Sequence, residues 1–387
     1  MRQPLRSTRW SLSVALAALV AGLVTLPPPA TGAGERAAPR DERAPQLRVR
    51  TVVRGLQHPW DVQQGPGGRL LVSERDRARL SVVRKGKRRT LADLSTQVWV
   101  SGETGLLSIA VDAGSRTLWA CHGASTRRGT EVRVTRWRVD PRWRRLSQPR
   151  LVVGDFPATS GRHGGCRLLL DRDSDALFVG TGDAAVGTNP RSLDSLGGKV
   201  LRVHRRTGAP MPGNPFADAS GARPLVWTYG HRNVQGLAQR DDGTLWSVEH
   251  GSDRDDEVNL LVPGGDYGWN PVPGYDETVP MTDQSLPGQQ QEAAWSSGTP
   301  TIATSGAAWV RGSQWGPLEG TLAVAALKGS AVLFLRFDAA GRLTSVTRPP
   351  RLQRLGRLRS VTAARDGDLL LTTDNGARDR VVRVSPR

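Results

Sequence analysis

The chain is short of sulfur and of lysine: it has two cysteines and three methionines, and only Lys85, Lys87, Lys199 and Lys328 among 54 basic residues. Two cysteines permit one disulfide at most, so this is not a small fold held together by crosslinks. Beyond Leu26 no apolar run approaches the ~18 residues a membrane helix needs, which excludes a later transmembrane span. The arginines are scattered along the whole chain instead of gathered in a stripe, which argues against a nucleic-acid partner despite the formal charge of +18. A solvated basic surface accounts for the scatter, and attraction to anionic cell-wall polymer is the alternative.

The amino terminus carries Arg2, Arg6 and Arg9, an apolar stretch from Trp10 to Leu26, and then Pro27-Pro28-Pro29-Ala30-Thr31-Gly32-Ala33. This order reads as an export signal with small residues at the cleavage point, a retained anchor being the alternative. No paired arginines precede the apolar stretch and no lipobox cysteine follows it; removal of residues 1–33 leaves a charge of +15. Residues 34–45, rich in Ala, Arg, Glu and Pro, read as a flexible leader, and residues 46–387 as one folded domain. The expected location is therefore outside the cytoplasm: extracellular, cell-wall associated or periplasmic.

Six times a turn leads into a short apolar run: Leu70–Val72, Leu118–Ala120, Leu177–Val179, Leu245–Val248, Leu322–Val324 and Leu369–Leu371. Partner runs follow several of them, at Val132–Val139, Val200–Val203, Val332–Phe337 and Val381–Val384. Each unit is a small antiparallel sheet that cannot bury its apolar face alone, and a closed ring of such sheets solves the problem. About 340 residues divide naturally into six blades of four strands, giving an all-β, six-bladed β-propeller. Propeller sites lie on the loops around the central channel, so the chemistry is sought there.

Two loop clusters stand out. Arg162-His163-Gly164-Gly165-Cys166-Arg167 and Gly180-Thr181-Gly182-Asp183 offer an imidazole and a carboxylate; at one rim the pair would suit general-base catalysis, although turn glycines with a structural histidine would look the same. Tyr229–Gly236, with Glu249-His250-Gly251-Ser252 and Asp255-Asp256-Glu257, adds Arg232 as a carboxylate clamp, Asn233 as donor and acceptor, and turn carbonyls suited to a hard cation. Lys328, Arg357 and Arg359 add cations from other units; if they converge with Arg232 on the channel, the ligand carries several carboxylates or phosphates. Cys121 and Cys166 lie in neighbouring units, where export would allow a disulfide and two buried thiols would also fit. Trp309 is a candidate aromatic for a ligand face, or simply core.

From about Gly55 onward the chain resembles the soluble pyrroloquinoline-quinone (PQQ)-dependent glucose and sorbosone dehydrogenases. The motifs are Leu56-Gln57-His58-Pro59-Trp60, Gly102–Leu107, the His163 loop, Gly182-Asp183, Leu196–Arg202, Tyr229–Leu237, Glu249-His250-Gly251, Asp256–Asn259 and Tyr267-Gly268-Trp269, in matching order and spacing. The resemblance implies a quinone over the channel mouth, met by Arg232, Asn233, Lys328, Arg357 and Arg359, with Ca2+ on the backbone carbonyls of Gly251 and Ser252. It further implies that His163 takes the proton of a sugar hydroxyl, that Asp183 orients it, and that Glu103, where the family often carries Gln, touches the substrate. The expected reaction is oxidation of an aldose at C1 to a lactone, with electrons passing to an external acceptor.

The chain departs from the family pattern at a few positions. Cys166 stands in a His-x-Gly-Gly-Arg element, Ser252 stands where many members have Pro, and Ser360 replaces an acidic residue. None of these removes a side chain assigned to a ligand. The long inserts of the glucose-oxidising branch are missing, which points to the smaller aldose branch and leaves a monomer or a dimer open. A non-catalytic propeller that binds glycan or protein is the alternative; a calcium-dependent lactonase would need side-chain metal ligands at the channel centre, and no such set is evident.

Overall fold

The computed structural model describes residues 45–387. The signal segment 1–33 and nearly all of the leader 34–45 lie outside them. Strand β1 (Leu47–Leu56) is followed by five consecutive four-stranded blades. Blade one is β2 (Pro59–Gln64), β3 (Leu70–Glu74), β4 (Arg79–Arg84) and β5 (Lys87–Asp93); blade two is β6 (Leu106–Asp112), β7 (Thr117–Thr126), β8 (Gly129–Val139) and β9 (Leu146–Pro157). Blade three is β10 (Arg167–Leu170), β11 (Ala176–Gly180), β12 (Lys199–His204) and β13 (Val226–Tyr229); blade four is β14 (Val234–Gln239), β15 (Leu245–Glu249), β16 (Glu257–Leu261) and β17 (Trp295–Ser296). Blade five is β18 (Thr304–Trp309), β19 (Leu322–Ala326), β20 (Ala331–Phe337) and β21 (Leu343–Thr347). Blade six takes β22 (Leu358–Ala363), β23 (Leu369–Thr373) and β24 (Asp379–Pro386), and β1 completes it as outermost strand.

β1 runs antiparallel to β24, from Leu47 opposite Pro386 to Leu56 opposite Asp379. The first strand thus closes the ring on the last blade, and every innermost strand (β2, β6, β10, β14, β18, β22) touches the next. The six apolar runs read from the sequence are the second strands, β3, β7, β11, β15, β19 and β23, and their partners are third strands. These strands are apolar on both faces because each blade is covered on both sides. Alternate residues point to opposite neighbours: Leu369 and Leu371 pack toward blade five while Leu370 packs toward blade one, and Leu177 and Val179 face blade two while Phe178 faces blade four. Six apolar clusters result, one per blade interface. At about 1.5–3 kcal/mol for each large side chain buried, these interfaces are the main source of cohesion.

The two cysteines are bonded to each other, with Cα atoms 6.1 Å apart. The bond joins β7 of blade two to the segment entering β10 of blade three, immediately after His163. Among the described residues no helix is long and apolar enough to cross a membrane.

Candidate active site

First and second strands of a blade are antiparallel, so loops that precede first strands and loops that follow second strands share one end of the channel. Glu103, His163, Arg232, Asn233 and Arg357 precede first strands; Asp183, Gly251, Ser252 and Lys328 follow second strands; Arg359 stands near the start of β22. Topology alone therefore puts every candidate residue at one rim.

The His163 and Asp183 loops are pressed together. A Cβ on Gly182 would stand 1.8 Å from the His163 carbonyl oxygen, and one on Gly165, whose φ is +57°, would stand 2.3 Å from the Gly182 nitrogen. Glycine at both positions permits this approach. His163 itself has φ +50°, a left-handed conformation uncommon outside glycine. Its Nδ1 lies 2.8 Å from Asp183 Oδ1, with both side chains buried. Asp183 also accepts the Ala185 amide (2.8 Å), Trp269 Nε1–H (2.9 Å) and the Tyr275 hydroxyl (2.7 Å). A carboxylate whose lone pairs are all engaged fixes the Nδ1–H tautomer of the imidazole and leaves Nε2 as the basic nitrogen. Nε2 has no hydrogen-bond partner among the described residues and is not sealed from solvent.

Beside the dyad, the channel mouth opens as a cavity of about 360 Å³ whose wall includes Arg75, Glu103, Gln235, His250, Arg357 and Arg359. Arg359 is buried and donates to Asp374 Oδ2 at 2.9 Å and Gln235 Oε1 at 3.0 Å. Burial would raise the Asp374 carboxyl, but Arg359 and a hydrogen bond from His58 hold it down to about 2. Ser360, directly after Arg359, is engaged with Thr372, and the carboxylate that pairs with Arg359 is that of Asp374, which follows β23. Burial, together with nearby Arg359, Arg232 and His163, pushes the His250 imidazole well below its ordinary value.

Convergence of the four expected cations is partial. Arg357 and Arg359 line the cavity; Lys328 is exposed on the turn after Leu327, and Leu327 is the wall residue there. Arg232 is buried and already holds a carboxylate, with Nη2 2.5 Å from Glu277 Oε1 and its guanidinium over the Trp269 ring. Burial opposes ionisation of Glu277, but hydrogen bonds from Arg162 and Arg232 keep its carboxyl below the usual range. The Asn233 amide is committed to the protein: Oδ1 accepts Gly165 N–H and Gln235 Nε2–H, and Nδ2 reaches Glu103 Oε2 at 3.4 Å. Glu103 also accepts the His163 amide at 3.1 Å, so it anchors the His163 loop.

Around the Gly251-Ser252 turn three buried polar atoms have no hydrogen-bond partner: His250 Nε2, Ser252 Oγ and Arg232 Nε. Neither the Gly251 nor the Ser252 carbonyl accepts a hydrogen bond from a described residue. Nothing in the sequence singles out Tyr275 or Glu277; both reach the site from the long connection 262–294, whose path depends on tertiary contacts. His58 and Trp60 were visible only as a family motif, and Arg75 and Asp374 gave no signal. Trp309, the candidate aromatic for a sugar, lies at the C-terminal end of β18, among the apolar residues between blades four and five, at the far end of the channel from His163.

The closed six-bladed propeller thus carries a histidine–aspartate pair beside a channel mouth lined by Arg357 and Arg359. The sequence pattern of the glucose/sorbosone dehydrogenases matches residues 56–383, and the chain belongs to that family. It is 29% identical over 359 residues to the aldose sugar dehydrogenase YliI of Escherichia coli, covering 88% of this chain and 93% of that one. It is 30% identical over 362 residues to an uncharacterized protein of Synechocystis, covering 85% and 84% of the two chains. Among solved structures, the PQQ-bound aldose sugar dehydrogenase of Streptomyces coelicolor superposes with a TM-score of 0.74 at 30% identity, over 89% of this chain and all of that one.

Proposed function

We propose that the protein is an exported PQQ-dependent aldose dehydrogenase that oxidises sugars at C1 to lactones, with His163 as general base. The observation that carries this reading is the His163–Asp183 pair, its Nε2 unengaged, next to a mouth lined by Arg357 and Arg359. The donor set fits a planar polycarboxylate: Arg357 and Arg359 face the cavity, and Arg232 Nη2 already holds one carboxylate oxygen of Glu277. The unpartnered atoms around Gly251 and Ser252 fit a bound cation and ligand there, with the two carbonyls as oxygen donors. When bound, PQQ supplies a two-electron hydride acceptor and Ca2+ a Lewis acid that polarises its reactive carbonyl.

The chain's own residues do the rest. His163 Nε2 takes the proton of the C1 hydroxyl, and Asp183 stabilises the imidazolium formed. Trp269 and Tyr275 hold Asp183 from behind, and Glu103 and Asn233 keep the His163 loop against the rim. Arg357 and Arg359 contribute positive charge at the mouth, and Lys328 adds its charge from the exposed turn beside it. Electrons leave to an external acceptor.

Titration of the purified protein with PQQ in the presence of calcium, followed by dye reduction with a panel of aldoses, tests the proposal. Stoichiometric binding and sugar-dependent turnover, both lost on calcium chelation and the turnover lost in His163→Ala, are expected. Absence of PQQ binding would leave the non-catalytic propeller as the reading that stands.

A further inference from the structure

The channel is not open from end to end. Arg167, on β10, crosses it: Nε donates to the Gln235 carbonyl on β14 at 2.8 Å, Nη1 pairs with Asp61 on β2 at 3.0 Å, and Nη2 lies over Gly306 on β18, 3.0 Å from where a Cβ would stand. Asp61 in turn accepts Ser108 Oγ–H and the Ile109 amide from β6. One buried ion pair therefore ties β10, β2, β14 and β6 together and reaches β18, and the Arg167 guanidinium stacks 4.2 Å from the Trp60 ring centroid. Above this layer is the mouth with His163; below it, at the C-terminal ends of the same strands, is a second cavity of about 180 Å³.

The walls of the lower cavity include Arg167, Arg172, Trp309 and Arg311, with Gln63 and Gln239. Three donors of these residues are buried without any acceptor: Arg167 Nη2, Trp309 Nε1 and Arg311 Nε. Arg167 and Trp309 are each 5% exposed, so bulk water does not meet their needs, whereas the Arg311 side chain is 41% exposed and only its Nε is covered. The nearby carboxylates are otherwise engaged: Asp241 bridges Arg172 and Arg311 at 2.7 Å each from an exposed position, and Asp171 and Asp173 accept from Gln239 Nε2. A buried donor left unpaired is costly, and three on residues that line one small cavity, two of them on guanidinium groups, call for a ligand rich in acceptor atoms.

We propose that the end of the channel opposite His163 binds a small oxyanion, a phosphate or the carboxylate of a sugar acid, through Arg167 Nη2, Arg311 Nε and Trp309 Nε1. This site does not depend on the assignment of PQQ. The test is isothermal titration with sodium phosphate and, separately, sodium gluconate at constant ionic strength. The proteins are the wild type, the Arg311→Gln/Trp309→Phe double variant and Arg357→Gln, with thermal melts confirming that each is folded. Saturable binding of one anion per chain, weakened at least about tenfold in the double variant and unchanged in Arg357→Gln, is expected. Tighter phosphate binding would assign the site to inorganic phosphate, and tighter gluconate binding to a sugar acid. Absence of saturable heat with both anions would overturn the proposal and assign the donors to water. Loss of binding in Arg357→Gln but not in the double variant would overturn it by placing the anion in the upper cavity.

Discussion

Replacing Asp183 with Asn separates the orienting role of the carboxylate from the bulk of the side chain. Oδ1 accepts from His163 and Ala185, and Oδ2 from Trp269 and Tyr275. An amide keeps one of these oxygens and presents an NH2 group where the other stood. If NH2 replaces Oδ2, Tyr275 can rotate its hydroxyl to accept, but the Trp269 indole N–H cannot, and one buried donor loses its partner at a cost of about 1–3 kcal/mol. If NH2 replaces Oδ1, the His163 Nδ1–H is no longer fixed, and the tautomer with its proton on Nε2 becomes competitive, which cannot act as base there. In both cases the imidazolium loses its counter-charge. Loss of general-base assistance then lowers kcat by about 10²–10⁴. The assay is steady-state dye reduction with an aldose, beside PQQ affinity and a urea melt. A fall in kcat of that size with PQQ affinity within about twofold is expected. A folded Asp183→Asn enzyme retaining more than about a tenth of wild-type kcat would refute the role assigned to the pair.

Three further outcomes follow from the geometry. Cys121→Ser/Cys166→Ser removes a crosslink closing a sequence separation of 45 residues, and loop-closure entropy puts its contribution at about 4 kcal/mol, read as a lower denaturant midpoint that reductant reproduces in the wild type. Arg357→Gln weakens PQQ binding by about 10-fold or more, one charge-assisted hydrogen bond, while this exposed position leaves stability within about 0.5 kcal/mol; an unchanged PQQ affinity would remove Arg357 from the site. Asp374, held down to about 2 against an ordinary 3.8, contributes about 2 kcal/mol that is present above pH ~4 and lost as pH falls toward 2. The stability gap between wild type and Asp374→Asn, from urea unfolding, therefore narrows between pH 5 and pH 2.5; a gap independent of pH contradicts the ion pair.

The sequence by itself determined the architecture, because second and third strands such as β3, β11 and β23 are apolar on both faces and short turns bound them. Outermost strands are less legible: β5 and β21 are largely exposed and polar, and β17 has two residues, so their pairing depends on a neighbour already in place. β1 carries no local sign that it belongs to the last blade, since its partner β24 lies at the other end of the chain. At the site, His163, Asp183 and their neighbouring glycines were visible as local motifs, but that the glycines let the two loops meet is a tertiary contact. The capture of Arg232 by Glu277, the support of Asp183 by Trp269 and Tyr275, and the division of the channel by Arg167 were decided only by the tertiary structure. These are contacts between segments tens to hundreds of residues apart, and nothing in either segment alone encodes the distance that ring closure imposes.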